Sequence, residues 1–76
     1  MNKHKVDRPS LGARTAFNRG KKLHISGNYS KSAKKFQEAM ARAPNWVDPR
    51  MGLADSFRRL GDIRQSIHVA FTILGV

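Results

Sequence analysis

The amino-acid sequence predicts an all-α fold, built as two stacked helix-turn-helix hairpins without strands. In four successive segments, apolar residues recur at spacings of three and four, which places them on one face of an α-helix. The tripeptide Gly-Asn-Tyr at 27–29 also recurs as Gly-Asp-Ile at 61–63. Glycine followed by Asn or Asp is typical of a turn that ends one helix and caps the next. We therefore expect two hairpins of similar construction.

The first helix is expected to begin near Ala13 and to end before the turn at 26–28. Residues 1–12 lack apolar periodicity and contain Pro9 and Gly12, so we expect them to form a basic, flexible arm. The apolar face of the first helix is modest and consists of Ala13, Ala16, Phe17, Gly20 and Leu23. This part of the chain is thus predicted to be an unstructured arm followed by a weakly apolar helix.

The second helix has the clearest pattern of the four. Asn28 is placed to cap its first turn, Glu38 can pair with Arg42 one turn further on, and Pro44 stops the helix. Charged residues fill one side, and the apolar side consists of Tyr29, Ala33, Phe36, Met40 and Ala43. This pattern predicts a helix that packs on its neighbours along one side.

A third helix is expected from about Pro49 to Leu60. Asp48 followed by Pro49 is a strong start signal, because Asp caps exposed amides and proline lacks an N–H that the first turn would leave unbonded. Its expected core side consists of Leu53, Ala54, Phe57 and Leu60.

The fourth helix is expected from Ile63 to Leu74, and Gly75 can end it. Its expected core side repeats the helical spacing and consists of Ile63, Ile67, Ala70 and Leu74. A second apolar flank consists of Val69, Ile73 and Val76, and it makes the apolar arc wider than one hairpin can cover. We expect that flank to be covered by a second copy, giving a homodimer through the carboxyl-terminal helix, or by a larger partner.

The size and composition of the chain argue against catalysis. It has 76 residues, which is short for a folded domain, and no cysteine, which excludes disulfides and thiol nucleophiles. His4, His24 and His68 do not have the spacing of paired metal ligands, and no serine lies in a nucleophile motif. We expect no enzyme activity, no metal and no cofactor.

Positive charge is concentrated in the first part of the chain. Residues 1–45 contain eleven Lys and Arg residues against two acidic residues, a net charge of +9, whereas residues 46–76 carry +1. Candidate phosphate contacts in the first part are Lys21, Lys22, Lys31, Lys34 and Lys35.

The apolar runs of the chain are short. None approaches the roughly 20 residues needed to cross a bilayer, so no membrane span is expected. A cytoplasmic location is expected, with mitochondrial import as the alternative because the segment 7–19 contains three arginines against Asp7 alone.

The shift from position 27 to position 61 aligns further positions of the two hairpins and gives a period of about 34 residues, which is that of the tetratricopeptide repeat. Small or apolar residues stand at the positions that characterise this repeat, namely Ala16, Gly20, Leu23, Phe36, Ala39 and Pro44 in the first hairpin and Leu53, Ala54, Phe57 and Ala70 in the second. On these residues the chain resembles a tetratricopeptide repeat protein of two divergent repeats, residues 13–46 and 47–76. It departs from the family pattern at Ala16 and Arg50, where a bulky residue is usual, and at Arg19, where leucine is usual. It also departs at Ser32 and Ser66, where alanine is usual. A basic four-helix bundle with an accidental period is the alternative.

The resemblance implies a groove that is lined by the first helix of each repeat and binds a peptide. By the family pattern, the groove residues are Arg14, Phe17, Lys21, His24 and Ile25 in the first repeat and Asp48, Met51, Asp55, Arg58 and Arg59 in the second. Basic side chains there suit an acidic segment, and Phe17, Ile25 and Met51 offer apolar contact. The alternative for Phe17 and Ile25 is that they pack against a neighbouring helix while the charges are solvated.

The resulting expectation is a small non-enzymatic interaction module, an adaptor or assembly subunit, that binds an acidic or mixed peptide of a protein partner. A second class of function is also open. The lysines between positions 21 and 35 make a phosphate footprint, so a basic helical protein that binds nucleic acid or associates with the ribosome is the alternative. No sequence motif for base recognition accompanies them.

Overall fold

The computed structural model describes residues 9–75, which form four α-helices and contain no strand. The helices are α1 (Leu11–Ile25), α2 (Tyr29–Arg42), α3 (Asp48–Arg59) and α4 (Ile63–Leu74). Helices α1 and α2 form one hairpin, α3 and α4 form the other, and α2 also packs against α3. The predicted all-α stack of two hairpins is thereby confirmed.

The first helix begins earlier than the sequence analysis predicts. Leu11 and Gly12 are already helical, and the Ser10 side chain accepts a hydrogen bond of 3.2 Å from the Ala13 amide. Ser10 is expected in the arm from the sequence, but serine is a favoured cap, and this cap starts the helix. The rest of the predicted arm, residues 1–8, lies outside the described residues.

The two hairpin turns have the same geometry. Gly27 has a φ of 85° and Gly61 a φ of 83°, a left-handed conformation that glycine adopts without a steric penalty. The Asn28 amide donates to the Leu23 carbonyl at 2.8 Å, and at the equivalent place in the second hairpin the Asp62 amide donates to the Phe57 carbonyl at 2.9 Å. These bonds close the first helix of each hairpin.

The same two residues then start the second helix of each hairpin. The Asn28 side chain accepts from the amide of Lys31 at 3.4 Å, and the Asp62 side chain accepts from the amide of Gln65 at 3.2 Å. The caps predicted from the sequence are therefore present, and the repeat found in the sequence is also a repeat of structure.

The start of α3 differs from the prediction by one position. Asp48 is the first helical residue and does not cap the helix; Val47 holds the cap position, and no side chain bonds the free amides there. The Val47 carbonyl accepts from Arg50 at 2.9 Å and from Met51 at 3.2 Å, so the first turn forms around it. Asp48 still lies in the first turn, where a negative charge favours the helix.

The core is centred on Phe36, which is 2% exposed. Two glycines, Gly20 on α1 and Gly52 on α3, allow the helices to approach the Phe36 ring. A Cβ atom at Gly20 would lie 2.8 Å from that ring, and one at Gly52 would lie 2.6 Å from it. Most of the other buried apolar residues of the described chain are small. They are Ala13, Ala16, Ala33, Ala39, Leu53 and Val69. In this core, packing of the helix backbone against the Phe36 ring thus takes the place of packing between several bulky side chains.

A pair of serines extends the contact between α2 and α3. The hydroxyls of Ser32 and Ser56 are both buried and lie 2.7 Å apart. Ser32 also donates to the Tyr29 carbonyl at 3.1 Å, so the pair is satisfied inside the core.

Helix α4 is rotated relative to the prediction. Val69, expected on the exposed flank, is buried in the core cluster with Leu53, and Ile73 is half-buried; Val76 lies outside the described residues. The Ser66 hydroxyl donates to the Ala54 carbonyl at 2.9 Å, which fixes this side of α4 against α3. Ile63, Ile67 and Leu74 are all predicted on the core side, and all three are exposed instead.

Leu60, expected at the core end of α3, is also exposed. Within residues 9–75, neither α4 nor any other helix has the length and hydropathy needed to cross a bilayer.

The close approach at Phe36 predicts that Gly52→Ala destabilises the protein by about 1 to 2 kcal/mol, because overpacking outweighs the better helix propensity of alanine. Gly12→Ala is the control, since its new Cβ would meet only the movable end of the Arg42 side chain. We expect it to leave stability unchanged or slightly raised. Urea unfolding monitored by circular dichroism gives the free energy of unfolding of both variants. Equal free energies would show that the close approach of Gly52 to Phe36 does not require glycine.

Candidate functional site

An open groove of about 370 Å³ lies between α1 and α3. One face of each helix lines it, and Phe36 of α2 forms its back. The lining residues are Phe17, Lys21, His24 and Ile25 from α1, Asp48, Met51, Gly52 and Asp55 from α3, and Phe36. Side chains spaced by three, four and seven positions share a face of a helix, which is why these positions meet.

The resemblance assigns ten residues to a groove. Seven of them line the groove between α1 and α3, and three do not. Arg14 is exposed on α1 outside the groove lining. Arg58 and Arg59 are also outside the lining and are bonded to Asp55. Gly52 was not singled out from the sequence. Its signal is a glycine inside a helix, which costs about 1 kcal/mol relative to alanine and therefore points to a packing requirement.

The floor of the groove is aromatic and apolar. The Phe17 ring lies 5.7 Å from the Phe36 ring and 4.8 Å from the Trp46 ring, measured between centroids. Ile25 and Met51 flank the mouth and are 82% and 58% exposed. The groove therefore offers apolar contact to a ligand side chain, and its flexible Met51 adapts to the shape of that side chain.

Lys21 supplies a positive charge at the edge of this floor. Its ammonium lies 5.3 Å from the centroid of the Phe17 ring, and it makes no ion pair within residues 9–75. An ammonium held over an aromatic face remains able to donate to a carboxylate.

Asp55 binds three basic side chains and ties the helices together at one end of the groove. The His24 Nε2 atom donates to it at 2.6 Å, the Arg59 Nε atom donates at 3.0 Å, and Arg58 donates to its other oxygen. Arg59 also lies over the Tyr29 ring at 5.6 Å, so α1, α2 and α3 all meet here. We call His24, Asp55, Arg58 and Arg59 the Asp55 cluster.

Partial burial alone would raise the pKa of Asp55, but the hydrogen bonds from Arg58, Arg59 and His24 outweigh it and lower the pKa to about 2. Asp55 is therefore ionised at neutral pH, and its charge is already neutralised inside the protein. The groove lining holds one permanent cation, Lys21, and two carboxylates, Asp48 and Asp55, of which Asp55 is paired with Arg58 and Arg59. The net charge of +10 on the whole chain favours a negatively charged ligand.

The five predicted phosphate contacts do not form one cluster with the groove. Of the five, Lys21 alone lines it. Lys35 donates to Glu38 at 3.3 Å. Arg42 lies 3.6 Å from the same carboxylate, and this is the predicted pair of Glu38 with Arg42. The remaining three, Lys22, Lys31 and Lys34, are exposed.

No group of three His, Cys, Asp or Glu residues that could hold a metal ion occurs in residues 9–75. Comparison with known proteins gave no match to any family model, to any curated protein or to any solved structure. The groove and its chemistry must therefore be interpreted from this chain alone.

The depressed pKa of Asp55 predicts a specific loss of stability in acid. A group whose folded pKa lies below its ordinary value of 3.8 stabilises the fold above about pH 4, and that stabilisation disappears as the pH falls through about 2. Asp55→Asn should remove this contribution, about 1 to 2 kcal/mol at neutral pH, and flatten the pH dependence between about pH 4 and pH 2.

Asp48→Asn is the matched control, because Asp48 makes no ion pair within the described part of the chain. Urea unfolding at a series of pH values measures the effect. The interpretation fails if the two variants have the same pH profile.

Proposed function

We propose that this protein is a small non-enzymatic interaction module, similar to tetratricopeptide repeat proteins, that binds an acidic or mixed peptide segment of a protein partner in the groove between α1 and α3. The observation that carries the proposal is the groove itself. It is open, its floor is apolar, and Lys21 at its edge makes no ion pair within residues 9–75. As part of the same proposal, the protein acts as an adaptor or assembly subunit in the cytoplasm.

The groove suits one or two side chains of a peptide. Its volume of about 370 Å³ is at the small end of ligand pockets, which typically run from about 300 to 1,000 Å³. An apolar ligand side chain would lie on Phe17, between Ile25 and Met51. A neighbouring carboxylate of the ligand would accept from Lys21.

The Asp55 cluster supports an acidic rather than a basic ligand. Asp55 is already bonded to three basic side chains, so it has little capacity left to pair with a ligand lysine or arginine. Asp48, at the opposite end of the lining, remains available to a peptide amide or to a single basic residue. A mixed sequence with more acidic than basic residues is therefore the best fit.

His24 and Asp55 form a His–Asp pair, and such pairs also occur in catalytic sites. The residues around the pair therefore decide how it is interpreted. No serine, threonine or cysteine of the described chain lines the groove, and the carboxylate is shared with two arginines. A His–Asp pair needs an adjacent nucleophile or bound water to act on a substrate. The arrangement supports a structural clamp between α1 and α3 better than a general base.

Binding of a polyanion such as nucleic acid is the second candidate. Lys22, Lys31 and Lys34 are exposed, and no carboxylate lies within ion-pair distance of them in residues 9–75. These three lysines are outside the groove lining, so the two candidates can be separated by mutation.

The peptide hypothesis predicts that Lys21→Glu weakens binding of an acidic peptide at least about tenfold, since one charge-assisted hydrogen bond is worth about 1.5 to 3 kcal/mol. The probe is a synthetic peptide in which glutamates flank one leucine or phenylalanine. Trp46, the only tryptophan, packs against Phe17 of the groove and reports binding by its fluorescence. Lys34→Glu, an equal charge change outside the groove, should leave affinity nearly unchanged.

A lysine-flanked peptide with the same apolar residue is the ligand control and should bind more weakly. Met51→Glu should also reduce binding of the acidic peptide, because it places a like charge at the mouth. Equal losses from Lys21→Glu and Lys34→Glu, or equal binding of both peptides, would contradict the groove hypothesis.

The polyanion candidate predicts a different pattern. A random oligonucleotide should bind with an affinity that falls steeply with salt, and each of Lys22→Glu, Lys31→Glu and Lys34→Glu should reduce the salt slope by about one. If these variants abolish oligonucleotide binding and Lys21→Glu affects no acidic peptide, nucleic acid replaces the peptide as the ligand.

A further inference from the structure

Helix α4 carries a stripe of exposed apolar side chains. Ile63, Ile67, Phe71 and Leu74 are 52%, 50%, 51% and 73% exposed. At about 100° per residue these four fall within an arc of about 80°. Val69, which packs in the core, lies on a different side of the helix. The stripe is therefore a separate surface from the face that holds α4 against α3.

The internal repeat shows what this face is shaped to contact. At the shift that aligns Gly27 with Gly61, Ile67 corresponds to Ala33 of α2 and Leu74 corresponds to Met40. Ala33 is buried in one cluster with Leu53 of α3, and Met40 packs against that cluster. In the first hairpin these two positions are thus covered by a helix of the next hairpin. In the second hairpin, nothing within residues 9–75 covers it.

The distribution of charge favours a second copy at this face. The stripe contains no charged residue, and α4 has one permanent charge, Arg64. Residues 46–76 carry a net charge of +1, whereas residues 1–45 carry +9. Two copies that meet through α4 keep their strongly basic parts apart, so their mutual repulsion is smallest in this arrangement.

We propose that the stripe of α4 pairs with the same stripe of a second copy of this chain, antiparallel across a two-fold axis. In this arrangement Ile67 faces Phe71 of the second copy, and Ile63 faces Leu74. Arg64, near the start of α4, then lies beside the last carbonyls of the other α4, where a cation is favoured. A two-fold contact is self-complementary and closes as a dimer. The groove between α1 and α3 is not part of this contact.

Helix α4 has 12 residues and is about 18 Å long, so the interface is small and the dimer should dissociate reversibly. Analytical ultracentrifugation of the whole chain over a series from about 1 μM to about 1 mM should show the average mass rising toward that of a dimer. Added salt should strengthen the dimer, because it screens the repulsion between two positive copies.

Ile67→Glu and Leu74→Glu should each raise the dimer Kd at least about tenfold while circular dichroism stays unchanged, since both side chains are exposed in the single chain. Gln65→Glu adds the same charge on the other side of α4 and should dimerise like the wild type. A chain that stays monomeric at every concentration and salt would overturn the proposal. So would equal effects of Gln65→Glu and Ile67→Glu.

The orientation is tested by disulfide pairing, because the natural chain has no cysteine. The Ile67→Cys and Phe71→Cys variants are mixed in equal amounts and oxidised. An antiparallel pair should give a larger share of the mixed disulfide, which joins one variant to the other, than the same two variants give when they are oxidised after unfolding in urea. A predominance of the symmetric disulfide between two copies of the Ile67→Cys variant would overturn the antiparallel arrangement.

Discussion

The ring of Phe36, packed between a glycine on α1 and a glycine on α3, sets the spacing of the three helices that meet there. Within residues 9–75, four of the seven buried apolar residues are alanines, so no other side chain fills a comparable volume at this junction. Full burial of one large apolar side chain contributes about 1.5 to 3 kcal/mol, a large share of the stability of so small a domain. The same ring forms the back of the groove. Folding and the shape of the candidate site therefore depend on one contact.

Local signals in the sequence are sufficient to predict the turns and most helix ends. Gly27 and Gly61, with the capping residues that follow them, act within a short stretch of chain, and their effects do not depend on distant contacts. The predicted start of α1 is wrong for a related reason. Ser10 is a good cap, but it lies next to Pro9 in a stretch without apolar periodicity, and that stretch favours the arm interpretation.

The rotation of α4 could not be predicted from periodicity. Apolar residues lie on most sides of this helix, so several stripes fit the helical spacing equally well. Tertiary contacts decide between them, namely the Ser66 bond to the Ala54 carbonyl and the packing of Val69. The bonds within the Asp55 cluster could not be predicted from the sequence for a similar reason. His24 and Asp55 are far apart in the sequence, and only the stacking of the hairpins brings them together.

Because Phe36 belongs both to the core and to the groove, binding and unfolding are thermodynamically linked in this protein. A ligand in the groove contacts both α1 and α3, and this surface exists only when α1, α2 and α3 are assembled around the Phe36 ring. Such a ligand stabilises the folded state by RT ln(1 + [L]/Kd), which is about 2.7 kcal/mol at about one hundred times Kd. For a domain of this size that is a melting-temperature increase of several degrees. Thermal stability can thus serve as a sensor of groove occupancy, including for ligands that leave the fluorescence of the chain unchanged.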